Sequence, residues 1–211
     1  MCILDAGFAG VIRMKRLKSG AAATPVRRRD AAATRSAILQ SARGAFAKAG
    51  YDGAGVREIA AGAGVTAMLV NRYFGSKEQL FAEAVAASMA ATSVLVPEIV
   101  KPSAAGEAIA AMLVGITRPG DVPLEGFQIM LRSASNGRAA EIAREQIERH
   151  HQKSIASSLS GALAPQRTGV MLALIAGFQM MRQTVGLSAL AKAEPKALVK
   201  VLGPLFEHLL T

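Results

Sequence analysis

The sequence predicts an all-α fold of about nine helices, three short ones grouped near the amino terminus and a larger helical domain after them. Three observations predict it. Hydrophobic residues make up 51% of the chain but aromatics only 4%, with no Trp, so Ala, Leu and Met carry the apolar content. Such side chains lose little freedom on entering a helix. No run alternates Val, Ile and Thr as a half-buried strand would. From Ile38 onward, apolar positions recur at intervals of three and four instead.

Each element follows in order. Residues 1–29 show no helical period, contain "SGAAATPVRRR", and read as a disordered basic tail. Within it "MKRLKSG" offers a second start at Met14, which would make residues 1–13 an upstream extension. Thr34 is placed to cap the first helix, whose apolar face is Ile38, Ala42, Ala45, Phe46 and Ala49. Gly50 supplies its stop. After "YDGAG" a short second helix carries Val56, Ile59 and Ala60, and Gly62 and Gly64 bracket a tight corner. Thr66 caps a third helix ending near Phe74-Gly75. Ser76-Lys77-Glu78-Gln79 is an S-x-x-Q capping box opening a long fourth helix toward Pro97. Five further helical segments are expected at 104–117, 123–134, 138–160, 165–186 and 195–210. Proline in the first turn marks three of these starts, and Pro204 should kink or split the last. The domain boundaries expected are 1–29 for the tail, 30–80 for the three-helix domain and 81–211 for the rest.

Several classes of function drop out. The single cysteine, Cys2, lies in the tail, so an internal disulfide or a cysteine metal cluster is excluded. The most apolar run, "GVMLALIAGFQMM" at 169–181, falls short of the roughly 20 residues a bilayer requires. The amino terminus lacks the basic region of a secretory signal, and the expected location is the cytoplasm, at the nucleoid. No cofactor is implied, and no G-x-S-x-G, P-loop or H-E-x-x-H motif is present. Carboxylates lie mostly beside bases along helices, as at Arg144, Glu145 and Glu148, so an enzyme is not expected. His150 and His151 are adjacent, point to different helix faces, and read as surface rather than as a metal pair.

Charge points elsewhere. The net charge is +10, and residues 1–85 hold 13 Lys/Arg against 6 Asp/Glu. A basic amino-terminal third suits a polyanion, although a tail that only aids solubility satisfies the same count.

The stretch Gly62-Ala63-Gly64-Val65-Thr66-Ala67 fits the dinucleotide pattern G-x-G-x-x-A, with Glu83 downstream. That loop must follow a strand, whereas "VREIAAGAG" carries helical spacing. A helix-turn-helix accounts for the letters better. At 100° per residue Val70 and Phe74 share one face, which can close a core with Ile38, Phe46 and Ile59. Met68, Leu69, Asn71 and Arg72 remain outward. In a major groove the two apolar residues suit thymine methyls, and Arg72 suits guanine O6 and N7. Thr66, Asn71, the Tyr73 hydroxyl and Lys77 suit phosphates. Arg27, Arg28 and Arg29 would form an arm for the minor groove or backbone, or else a loose charged tail.

The stretch "TRSAILQSARGAFAKAGYDGAGVREIAAGAGVTAMLVNRYFGSKEQLF" resembles the amino-terminal domain of TetR/AcrR-type transcriptional regulators. The shared order is a Thr-Arg helix start, "FAKAGY", "VREIA", "AGVT" and "NRYFGSKEQLF", over about residues 34–85. The resemblance implies that Ala67, Met68, Leu69 and Arg72 face bases. It implies that Thr34, Thr66, Asn71, Tyr73 and Lys77 touch phosphates. Two departures stand out: Gly55 replaces the usual Ser or Thr, and Asn71 the usual Tyr. For residues 81–211 the resemblance implies a helical effector-binding and dimerisation domain. The whole would be a one-component regulator, a repressor that binds a palindromic double-stranded operator as a homodimer and is released by a small molecule. The alternative is a sequence-tolerant, architectural DNA-binding protein. Pocket candidates are Met112, Phe127, Met130, Arg132, Gln179 and Arg182, then Gln128 and Met180; a Met at helical spacing also fits plain core. Gly169, Ala173, Ala176 and Gly177 would let a second helix approach, in a dimer through the last two helical segments or within one subunit.

Overall fold

The structure, a computed structural model, describes residues 25–91, 104–152, 159, 161 and 163–211. Among them every regular element is helical. Ten α-helices run in chain order: α1 Pro25–Gly53, α2 Val56–Gly62, α3 Ala67–Phe74, α4 Lys77–Ala91, α5 Ala105–Ile116, α6 Glu125–Ser133, α7 Gly137–Ile147, α8 Ala164–Gln179, α9 Ser188–Ala191 and α10 Pro195–Leu210. π-helical turns continue α7 over Glu148–Gln152 and α8 over Met180–Thr184.

The first helix corrects the expected tail. It begins at Pro25 and takes in Arg27, Arg28 and Arg29, so the predicted disorder does not reach this far; residues 1–24 lie outside the described residues. Proline at a first helical position loses no bond, and the Ala-rich stretch behind it favours helix without apolar spacing. Thr34 is therefore not a cap. It sits inside α1 and its Oγ1 donates to the Asp30 carbonyl at 2.7 Å. Gly50 does interrupt the helix, at φ 70 and ψ −176, and one more turn follows it to Gly53.

Two hydrophobic clusters organise the chain. The first joins α1 to α4 around Ile38, Phe46, Ile59, Val70, Phe74 and Phe81, and extends to Ile129 of α6 and Ala139 and Ile142 of α7. Its centre is aromatic: Phe46 and Phe81 meet edge to face at 5.0 Å, and Tyr51 meets Phe81 at 5.1 Å. Such pairs add to the burial that holds α1 on α4. The second cluster packs α5, α8 and α10 around Ile109, Leu113, Met171, Leu202 and Phe206.

Other differences have local causes. The segment expected at 138–160 is α-helical only to Ile147 before its π turn, and residues 153–158 are outside the described set. The expected run of α4 toward Pro97 can be followed to Ala91. Pro204 neither splits nor ends α10. Pro204 and Lys200 both border an open cavity, so the Lys200 carbonyl that loses its donor can be solvated. His150 is half-buried rather than on the surface. The ion pairs Arg144–Glu148 at 3.9 Å and Arg149–Glu145 at 3.3 Å run along the helix as expected.

Candidate nucleic-acid interface

The corner between α2 and α3 is built by two glycines with different tasks. Gly64 stands at φ 68, the left-handed conformation that turns the chain. Gly62 allows close approach instead: a Cβ there would collide with Ser41 Oγ, the hydroxyl that ties α1 to the Ile59 carbonyl at 2.8 Å. The Thr66 side chain then caps α3, accepting from Leu69 N–H at 3.3 Å. That bond uses a lone pair and leaves the hydroxyl proton free to donate.

The two faces of α3 separate cleanly. Val70 and Phe74 are buried in the first cluster. Met68 is 80% exposed, and Asn71 and Arg72 are exposed beside it. Ala67, Leu69 and Tyr73 are half-buried along the flank. Phe74 also carries the Arg35 guanidinium over its ring at 4.6 Å, and Arg35 pairs with Glu83 of α4. The inward edge of α3 is thus locked between α1 and α4 while its outward edge stays bare.

Around α3 the expected phosphate contacts take different positions. Thr66, Asn71, Tyr73 and Lys77 lie on α3 or at its two ends. Half of the predicted capping box is present, since Ser76 Oγ accepts from Gln79 N–H at 3.2 Å. Lys77 opens α4, its ammonium 4.7 Å from the centre of the Tyr51 ring. Thr34 is one helix away, its proton already given to Asp30. Gly55 precedes α2 without a side-chain cap, as its lack of a side chain dictates. Arg27, Arg28 and Arg29 are carried by the first turns of α1.

Behind this surface lies a polar pair. The Tyr51 hydroxyl donates to Glu78 Oε1 at 3.0 Å. Burial, then the bond to Glu78 and its charge, push the phenol up to about 12. Glu78 is held below its usual value by its own backbone N–H, then by the Ser76 and Tyr51 hydroxyls. Because folded Tyr51 keeps its proton past the unfolded value near 10, its contribution is whole below about pH 10 and is lost as pH rises through about 12. The Glu78 contribution runs the other way, disappearing as pH falls through its depressed value. In a Tyr73→Phe background Tyr51 is the one remaining phenol, since the chain has two tyrosines. Its ultraviolet titration should centre near 12, and Glu78→Gln should bring it part of the way back. A midpoint at the ordinary 10.0 in folded protein would remove the buried bond.

Sequence reading missed the joint that attaches this domain to the rest. Helix α6 is held at both ends. At its start, Glu125 Oε2 accepts from Arg43 Nε at 2.6 Å and from Ser88 Oγ at 3.1 Å. At its end, Ser133 Oγ accepts from the Tyr51 backbone N–H at 3.0 Å, in buried surroundings. Just beyond, Asn136 Nδ2 donates to Asp52 at 2.8 Å while its Oδ1 caps α7 through Ala139 N–H. Only the last had a local signal, an Asn before "GRAA" at a helix start. The others join residues 37 to 84 positions apart.

The six effector candidates do not gather in one place. Met130 lines a cavity of about 360 Å³ between α6, α7 and α8. Met112 and Arg132 are exposed, and Phe127 is half-buried. Gln179 and Arg182 are buried together at the end of α8. Gln128 spends its amide on the Pro123 carbonyl at 3.1 Å, and Met180 is half-buried. A larger cavity of about 1100 Å³ lies between α5 and α10 and is lined by none of them. Among the described residues no helix is long and apolar enough to cross a membrane, and no three His, Cys, Asp or Glu side chains gather to hold a metal.

Comparison with known proteins agrees with this geometry. Residues 38–84 match the family described as bacterial regulatory proteins, tetR family. Residues 103–210 match the family described as tetracyclin repressor-like, C-terminal domain. A TetR-family regulator from Streptomyces coelicolor A3 is 23% identical with a TM-score of 0.54, covering 85% of this chain and 95% of its own. A transcriptional regulator from Rhodococcus sp. Rha1 is 22% identical with a TM-score of 0.55, covering 83% and 95%. A protein assigned to the same family from Rhodococcus sp. is 18% identical with a TM-score of 0.62, covering 85% and 100%. No curated protein matches the chain.

Proposed function

Because the chain belongs to the TetR family of bacterial regulatory proteins, DNA-binding transcription factors rather than enzymes, we propose that it is a dimeric one-component repressor whose operator affinity falls when a small molecule binds its carboxy-terminal domain. The observation that carries the reading is the division of α3. Val70 and Phe74 are buried, Met68 is 80% exposed, and Arg72 stands exposed with it. An apolar side chain exposed beside Arg72, on a helix whose other face is buried, is useful in a major groove, against thymine methyls. Thr66, Asn71, Tyr73 and Lys77 take phosphates around it, Ala67 and Leu69 complete the base-facing set, and Arg27 to Arg29, in the first turns of α1, serve as the arm for the minor groove or backbone.

Dimerisation is supported by a face that no described residue covers. Val170, Met181 and Val185 along α8 and its π turn are exposed, as are Val201 and Leu205 on α10. On α8 Gly177 has nothing within 4 Å of a notional Cβ. Two copies packed through α8 and α10 would cover this face and present two α3 helices to a palindromic operator. The effector acts by favouring a dimer whose α3 helices no longer span one turn of DNA. The joints at Glu125 and Ser133 carry that change to α1.

Footprinting on the DNA upstream of its own gene tests the reading. A protected, salt-resistant palindrome is expected; uniform, salt-sensitive binding to any duplex would leave only an architectural role. Arg72→Ala should cost about 1–3 kcal/mol on the preferred sequence and relax base choice at one position. Lys77→Ala should weaken all sequences alike and flatten the salt dependence. Competition binding with base-substituted operators separates the two.

A further inference from the structure

Between the two hydrophobic clusters lies a gap, and one of its walls carries the residue that ties α6 to α1. The cleft of about 360 Å³ has α6 and α7 on one side and α8 on the other. Ala139, in its first wall, belongs to the first cluster, and Leu172, in the opposite wall, packs against the second. Small residues keep it open. Ala140 and Ala143 leave the α7 wall low, and Gly169 has nothing within 4 Å of a notional Cβ. On α8 the lining residues Pro165, Thr168, Gly169 and Leu172 recur at i, i+3, i+4 and i+7, which is one helix face. At 100° per residue the centre of that face lies roughly opposite Val170, so the dimer proposed above leaves the cleft open.

Two buried hydroxyls stand in these walls. Ser133 is 2% exposed; its Oγ accepts from the Tyr51 N–H, and among the described residues its own proton has no acceptor. Thr168 is fully buried and gives its proton to the Ala164 carbonyl at 2.9 Å, which leaves it only lone pairs. The lining thus offers one donor and one acceptor. Its two charged residues, Arg144 and Glu148, are exposed and pair with each other at 3.9 Å, so it carries no net charge. Loose packing between two cores would account for the apolar walls, and a tie to α1 for one bond of Ser133. Neither accounts for a buried O–H left without an acceptor beside open space, since buried polar groups are ordinarily satisfied. The larger cavity between α5 and α10 makes no comparable selection: Glu107 and Glu207 line it together with Arg118, Lys196 and Lys200.

We propose that this cleft takes a small uncharged ketone or alcohol, with its apolar body between α7 and α8 and its oxygen on the Ser133 hydroxyl. An apolar cavity of about 150 Å³ holds benzene, so the space here suits a body of one or two rings. A carboxylate fits poorly, because it would leave water for walls with no unpaired cation and would face the Thr168 lone pairs. A molecule in the cleft touches both cores at once. Its bond to Ser133 reaches the same oxygen that holds the Tyr51 N–H of α1, one of the two attachments of α6. The assignment rests on the effector reading above and supplies its chemical class.

Calorimetry and thermal shift on the full chain test it with acetophenone and 1-phenylethanol. Cumene matches acetophenone in shape without the oxygen, and benzoate matches it with a charge. Acetophenone and 1-phenylethanol should bind and raise the Tm, with cumene about 5-fold weaker and benzoate at least about 10-fold weaker. Gly169→Leu fills the cleft from an exposed, unobstructed helical position. Its ligand-free Tm should hold or rise while acetophenone binding falls at least about 10-fold. Ser133→Ala removes the donor, so acetophenone and cumene should then bind alike, within about 2-fold. That variant also leaves the Tyr51 N–H without its acceptor; if it does not fold, Gly169→Leu decides. No response to either oxygen compound, as from a cleft that holds only water, would overturn the proposal. So would cumene or benzoate binding as well as acetophenone, full binding in Gly169→Leu, or an unchanged acetophenone-to-cumene ratio in folded Ser133→Ala. Operator binding measured on the same preparation keeps the outcomes apart: DNA bound with no response to the probes removes this inference alone, and DNA not bound removes the regulator reading.

Discussion

Gly50→Ala is expected to lower stability by about 3 kcal/mol or more, dropping the Tm by roughly 6–12 °C for a chain of this size. Two effects add. The backbone there stands at φ 70 and ψ −176, a conformation essentially reserved for glycine. A Cβ would also meet the Arg132 carbonyl of α6, its carbon at 2.9 Å, and that obstacle is backbone that cannot rotate aside. The position therefore does two things: it breaks α1, and it lets α6 lie directly on the break. A control comes from the same helix. Gly44 has nothing within 4 Å of its notional Cβ, so Gly44→Ala should be neutral or stabilise by up to about 1 kcal/mol. Thermal melts of both variants decide the matter. A Gly50→Ala melt within about 2 °C of the parent would mean that α1 and α6 do not meet as described.

Val201→Asp is expected to convert a dimer into a monomer and to weaken operator binding about 1000-fold. Val201 is 65% exposed in the single chain, at the middle of the uncovered face of α10, with Leu205 one turn on. The side chain has little to lose in the monomer, so helicity measured by circular dichroism should be kept. In an isologous interface each residue occurs twice, and one substitution buries two like charges in apolar surroundings. About 4 kcal/mol, a factor of about 1000 in Kd, is a modest expectation for that pair. Val201→Leu should behave as the parent. Sedimentation gives the oligomeric state and gel shift the affinity; a parent protein that sediments as a monomer would remove the dimer reading outright.

What could be read from the letters follows from range. The inward pair Val70 and Phe74 and the cap at Thr66 depend on neighbours within four residues, and periodicity exposes such relations. The start of α1 was missed because "PVRRRDAAA" has helix-forming composition but no apolar stripe, although Pro25 was a usable sign. The π turns leave no periodic trace, and the letters that put Arg182 among the pocket candidates carry no sign that the end of α5 covers it. The roles of Glu125 and Ser133 belong to contacts across the whole amino-terminal half, which a single sequence does not encode locally. Likewise no spacing rule could show that Met130 and Gln179 face different interiors.

The double attachment of α6 has a mechanical consequence. A rod fixed to a second body at one point transmits push and pull; fixed at two, it transmits rotation as well. With Glu125 holding one end and Ser133 the other, the DNA-reading head must turn whenever α6 turns, as one rigid piece. The fifteen residues of α4 make a lever of about 22 Å at 1.5 Å per residue. Across that radius a tilt of about 10° sweeps an arc of about 4 Å, more than a tenth of the roughly 34 Å between successive major-groove faces. In the dimer proposed above, no helix has to melt for the operator to be released. A tilt of about 10° in each copy would suffice, because bending or untwisting the duplex to follow costs free energy.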